Sequence, residues 1–350
     1  MDFREVLQQS HARPNRTVGR FGPLAALASA KAPDGRPILL NAHVLPTPRT
    51  GPRKGLPPRS PHPNIFRKRG LPEDPFRMRP FLKWAGGKHR LAPLITPHLQ
   101  GGRRLVEPFM GSCALFLASP FEEALLCDVN ADLVSLYTIL RDEGKAFIND
   151  AEGLLFDGTR NTESAFYALR EEFNGLPTGD RRRAMIFVYL NRHAFNGLCR
   201  YSAKGAFNVP FGRYRNIYFP RAEMAAFAER TRDVVFRCQG FEQTFAEIRP
   251  GDTVYADPPY FPLSPTASFT SYAAGGFNLP QQTLLANLAR DAAAAGIPVA
   301  ISNHDTDEAI ALYEGFGADC SFRFQVQRNV SGSGDSRKKV GEVLALFHPA

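Results

Sequence analysis

The sequence predicts an α/β fold: a mostly parallel sheet of the Rossmann type, interrupted by a mainly helical insert. Short apolar runs closed by turn residues recur at 104–109, 124–128, 234–237, 253–256, 299–302 and 343–347, the pattern of strands buried on both faces. Segments of helical spacing lie between several of them, 281–295 most clearly. Strands alternating with helices build a parallel sheet. Between residues 132 and 220 the alternation stops, which marks an inserted block.

The first 77 residues lack either period. Prolines at 46, 48, 52, 57, 58, 61 and 63 break any helix or strand, so the segment reads as a disordered leader. It carries 14 Lys and Arg against 5 Asp and Glu, whereas residues 78–350 carry 29 of each. The basic excess that would announce a nucleic-acid partner therefore sits wholly in the leader. Met78 opens the ordered part, and the leader is expected either to stay disordered or to be absent from the native product. From Asp132 to about Asn174 the spacing is helical, with Leu133, Leu136, Tyr137 and Leu140 on one stripe and Phe166, Leu169, Arg170 and Phe173 on another. Residues 183–191 form a further, mostly apolar helix, and 195–220, rich in Gly, Asn, Pro, Tyr and Arg, a structured loop or hairpin.

Composition excludes several classes. No apolar run is long enough to span a membrane, and the first residues lack a secretory layout. Five scattered cysteines without C-x-x-C spacing argue against a disulfide framework or zinc site, and the eight histidines do not cluster, so no metal is expected. A cytoplasmic location fits best.

Three separated stretches converge on one chemical task. The first is the loop Glu107-Pro-Phe109-Met-Gly111-Ser-Cys113, where a glycine after a strand lets the backbone approach a nucleoside. Asp128 ends the next strand, 17 residues after Gly111, at the spacing of an acid that binds ribose hydroxyls. The second is Asp257-Pro258-Pro259-Tyr260. An exocyclic amine is a poor nucleophile because its lone pair is delocalised into the ring. Hydrogen bonds accepted by the Asp257 carboxylate and the Pro258 carbonyl return electron density to nitrogen. Consecutive prolines stiffen the turn, and Tyr260 offers a stacking face for an extruded base. The third is Phe81-Leu-Lys83-Trp84-Ala-Gly-Gly-Lys88, in which Trp84 suits a sulfonium or adenine and Lys88 a carboxylate.

With these stretches in place the chain resembles the Dam family of DNA adenine methyltransferases, from about Met78 to Pro349. The resemblance rests on FLKWAGGK (81–88), LVEPF (105–109), NGLCRY (196–201), FNVPFGRY (207–214), DPPY (257–260), ISNHDT (301–306) and RKKV (337–340). Their order is that of the family's α group. The resemblance implies a methyltransferase core at 78–131 and 221–350, with a target-recognition domain at 132–220. It implies S-adenosyl-L-methionine as methyl donor, double-stranded DNA as partner, the adenine of GATC as target, and a monomer. Trp84, Lys88, Glu107, Phe109, Gly111, Asp128 and Asp257 would contact the donor, and Asp257, Pro258 and Tyr260 the reacting base. Lys83, Phe195, Asn196, Leu198, Arg200, Pro210 and Arg213 would contact DNA: Arg200 and Lys83 on guanines, Leu198 on a thymine methyl.

Two residues depart from the family. Cys113 stands where a second glycine is usual; it fits if its backbone angles are ordinary, with a slightly shifted loop and a changed cofactor affinity as the expected cost. Phe195 replaces a tyrosine that wedges into DNA, and a phenylalanine can still stack. Competing readings are amino methylation of cytosine or of RNA, which Asp257 and the NGLCRY stretch argue against, and a silent DNA-binding relative, which would be expected to lose Asp257 or the cofactor loop. Housekeeping (mismatch repair, replication timing), restriction-modification and phage roles are all compatible with this chemistry.

Overall fold

The computed structural model describes residues 78–99, 101–262, 277–327 and 339–349. The leader and the first two residues of RKKV lie outside them. The seven-stranded sheet has the order β3-β2-β1-β4-β5-β7-β6. Its members are β1 (Arg104–Glu107), β2 (Glu123–Asp128), β3 (Val234–Cys238), β4 (Asp252–Ala256), β5 (Val299–His304), β6 (Asp319–Gln327) and β7 (Lys339–Phe347). The first five are mutually parallel, and β7 runs antiparallel between β5 and β6.

Alternate residues of each central strand enter different layers, as the two-residue period of a strand requires. Leu105, Leu126, Tyr255 and Ala300 face one apolar core; Val106, Leu125, Val254 and Ile301 face the other. The first core is completed by α1 (Ala92–Ile95), α2 (Ala114–Leu117), α3 (Ala131–Glu143) and α7 (Arg221–Arg230). The second is covered by α8 (Phe241–Ala246), α9 (Leu279–Ala294) and α10 (Asp307–Gly315). Coverage on both faces explains why these strands read as continuous apolar runs.

The span expected to be helical from 132 to 174 is three helices: α3, α4 (Lys145–Leu155) and α5 (Glu163–Gly175). The first break is Gly144, whose φ of 52° ends one helix and caps the next. Thr162 caps α5 by accepting from the Ala165 N–H. These helices gather round α6 (Arg181–His193), which is buried along most of its length from Arg183 to His193. Strand β6 has no counterpart in the sequence reading, because this edge strand keeps residues such as Phe322 exposed and shows no apolar run.

The chain leaves β1 towards β2 and β3 on one side, then returns to β4 and β5 on the other. Ligands of open α/β sheets bind beyond the carboxyl ends of the strands at such a reversal. Glu107 ends β1, and Asp257 directly follows β4.

Candidate active site

The loop after β1 is folded back by the acid at the end of β2. Asp128 Oδ2 accepts from the Gly111 N–H at 3.1 Å, and Oδ1 accepts from the Asn130 N–H at 2.9 Å. Burial pushes the Asp128 carboxyl up, and these N–H donors oppose the shift. Gly111 has φ 44°, and a Cβ there would lie 2.9 Å from Trp84 Nε1. Glycine is thus required on two counts, and Trp84 closes directly over the loop. Phe109 stacks on Phe241 and meets Phe277 edge-on, at centroid distances of 5.8 and 5.6 Å.

Cys113 does not have ordinary backbone angles. It lies in the left-handed region at φ 55°, ψ 25°, with its side chain fully buried at the start of α2. A side chain in that conformation costs about 1–2 kcal/mol relative to the right-handed one. Glycine takes this conformation without that cost.

Glu107 is buried beneath the loop and accepts from the Phe116 N–H at 3.0 Å. Burial foremost, then the charge of Asp257, pushes its carboxyl up to about 8 against the backbone hydrogen bond. In the unfolded chain the group ionises near its ordinary 4.5, so between those two values the native state holds the extra proton. Stability therefore falls as pH rises through this window, by up to about 1.4 kcal/mol per pH unit from this group. Glu107→Gln is expected to gain stability relative to wild type as pH is raised from about 5 to about 8, measured by urea unfolding. A pH-independent difference would contradict the assignment.

Asp257 lies opposite this loop. Lys88 Nζ is 2.9 Å from Asp257 Oδ1, donates to the Gly86 carbonyl at 2.9 Å, and sits 4.8 Å from the Tyr260 ring centroid. Both members are largely withdrawn from solvent, at 6% and 20% side-chain exposure, so screening is weak. The Tyr260 hydroxyl donates to Glu342 at 3.1 Å, and its ring meets His304 edge-on at 4.8 Å. Sequence reasoning missed Glu342, which reaches the site only because β7 pairs with β5, His304 opposite Glu342.

A second cluster adjoins the first through Lys83 and Trp84. Asn191 holds the Lys83 backbone on both sides: its Oδ1 accepts from the Lys83 N–H at 2.9 Å, and its amide donates to the Lys83 carbonyl at 2.7 Å. The Lys83 side chain crosses Gly197, where a Cβ would lie 2.4 Å from Cδ, and its ammonium sits 4.5 Å over the Tyr214 ring. Burial, then the Arg192 charge, lowers its pKa. Single bridges pair Ala194 with Phe211 and Tyr201 with Phe207, and the Phe195 N–H donates to the Pro210 carbonyl at 2.9 Å. The structured loop or hairpin expected at 195–220 thus joins Phe195 to Pro210, and brings Gly197 and, through Tyr214, Asn196 beside Lys83. Phe195 is exposed, while Leu198 packs partly against the core. Arg200 Nε donates to Asn208 Oδ1 at 2.7 Å, and Arg213 pairs with Glu163 at 2.9 Å.

Among the described residues, three non-glycine positions have positive φ: Cys113, Asn196 and Arg213. All three lie in these two clusters, where strain of this kind is characteristically held. No group of three or more His, Cys, Asp or Glu able to hold a metal occurs among the described residues.

The family model for D12 class N6 adenine-specific DNA methyltransferases matches residues 84–322. The DNA adenine methylase of Vibrio cholerae serotype O1 is 44% identical over 275 residues, covering 78% of this chain and 97% of its own. That of Serratia marcescens is 45% identical over 276 residues, covering 77% and 98%. That of Escherichia coli K12 is 44% identical over 271 residues, covering 77% and 96%.

Proposed function

We propose that this chain, which belongs to the D12 class of N6 adenine-specific DNA methyltransferases, moves a methyl group from S-adenosylmethionine to the 6-amino group of an adenine turned out of double-stranded DNA, within GATC. The observation that carries the reading is the pairing of sites across the sheet reversal. A glycine loop closed by Trp84 and Asp128 lies beyond β1, and the Asp257–Tyr260 turn lies beyond β4.

The residues present fit a nucleoside donor. Trp84, Phe109, Gly111 and Asp128 would hold it, with Glu107 and Lys88 beneath. The donor, when bound, supplies a methyl group on a positively charged sulfur, which needs no further activation. The chain itself must present the amine. Paired with Lys88 through Oδ1, Asp257 offers acceptors only, one of which takes an amino hydrogen. The Pro258 carbonyl accepts the second amino hydrogen. Tyr260, tethered by Glu342, keeps its ring broadside to the base. Preorganised acceptors and a fixed stacking plane account for catalysis without a covalent enzyme intermediate.

Residues 132–220, of which α3 also packs on the sheet, form the target-recognition part, and 78–131 with 221–350 the catalytic part of a monomer. Arg200 reads a guanine edge, Leu198 a thymine methyl and Lys83 the outer guanine, while Phe195 stacks near the vacated position. Asn196, Pro210 and Arg213 shape and anchor that surface. Arg200→Ala is expected to lower discrimination at one guanine position by about 1–3 kcal/mol, about 5- to 150-fold. Single-turnover rates on duplexes with each GATC position replaced in turn measure it, and discrimination equal to wild type would refute the assignment.

A further inference from the structure

The Asp257–Tyr260 turn is held from behind by a buried polar network that the reaction itself does not use. Gln282 of α9 donates through Nε2 to the Pro259 carbonyl at 2.8 Å, and Asn303 of β5 accepts at Oδ1 from the Phe261 N–H at 3.0 Å. Behind them the Tyr313 hydroxyl of α10 donates to Gln282 Oε1 at 2.9 Å. Asn303 Nδ2 donates to the Tyr313 oxygen at 2.9 Å and to Gln282 Oε1 at 3.3 Å. Asn303 Oδ1 also accepts from the His304 N–H at 2.9 Å. All three side chains are at most 1% exposed.

The network is polarised in one sense. Gln282 Oε1 receives two donors and Asn303 Oδ1 receives two backbone N–H groups, so neither amide can flip without setting donor against donor. The Gln282 amide hydrogens are thereby aimed at the Pro259 carbonyl. A peptide group is planar, so a residue is oriented once the planes on either side of it are. Gln282 holds the plane before Tyr260, and Asn303 holds the plane after it. The Pro259 ring restricts φ one step further back, which transmits the orientation to the Pro258 carbonyl.

We infer that Gln282, Asn303 and Tyr313 are positioning residues of the active site, fixing Tyr260 and the Pro258 carbonyl from the far side of the sheet. This rests on the reading of 257–260 as the reacting turn. Misplacing a reacting group by about 1 Å costs on the order of 100-fold in rate, and Gln282→Met and Asn303→Leu are expected to lose that much in single-turnover methyl transfer. Kd for S-adenosylmethionine and for a GATC duplex should not change. Asn303→Asp keeps the acceptor for the Phe261 N–H and should recover part of the rate that Asn303→Leu loses. Gln282→Met at the wild-type rate, or a rate loss matched by an equal loss of donor binding, would overturn the inference. Where the larger changes prevent folding, Tyr313→Phe removes a single hydroxyl from a buried ring: a slower transfer step with unchanged Kd supports the inference, and the wild-type rate overturns it. Wild-type protein that methylates no adenine would instead remove the reading beneath it.

Discussion

Replacing Asp257 by alanine is expected to reduce single-turnover methyl transfer by on the order of 10³-fold, while binding of the duplex persists. The substitution removes the carboxylate acceptor from a site where the amine has little nucleophilicity of its own. It also leaves the Lys88 ammonium, which is 6% exposed, without its counter-ion. Asp257→Asn separates the two effects: it keeps an acceptor oxygen but loses the charge, so partial activity is expected. Filter binding or anisotropy with a GATC duplex checks retention of DNA binding, and turnover undiminished in Asp257→Ala would refute the catalytic assignment.

The largest effect on stability is expected from Arg183→Met. Arg183 pairs bidentately with Asp132, and its remaining nitrogen donates to the Phe173 and Leu176 carbonyls. Its guanidinium lies 4.0 Å from the Phe173 ring centroid, and Tyr201 donates to the same carboxylate at 2.8 Å. The network therefore joins α3, α5, α6 and the loop that carries Arg200. Both charged residues are buried, at 8% and 7% exposure. Removing one partner strands the other, so the loss should be about 3–5 kcal/mol in urea unfolding. The double variant Arg183→Met with Asp132→Leu should recover part of it, because no lone charge remains. A loss indistinguishable from that of an exposed arginine would contradict this account.

The parallel strands were legible because both faces of the sheet are covered, leaving apolar runs closed by turn residues. The places of Gly111 and Asp257 just after a strand, and of Asp128 at the end of one, were legible from the apolar runs that precede them. Arg183 was not: an arginine in the first turn of a helix looks solvated until α3 and α5 close over it. Gln282, Tyr313 and Glu342 are ordinary residues on α9, α10 and β7, distant in sequence from the tetrapeptide they support. Only the sheet order brings them to it. Asn303 lay within a recognisable stretch, ISNHDT, yet nothing local marked its contact with the Phe261 N–H. The angles of Cys113 were equally hidden, since the residue type argues against the conformation that the loop imposes.

The most direct measurement is nucleoside mass spectrometry of a GATC duplex after incubation with the protein and isotopically labelled S-adenosylmethionine. Label in N6-methyladenine, present with GATC and absent when its adenine is replaced, is the expected result. Label in cytosine, or none in a folded protein that binds the duplex, would contradict it.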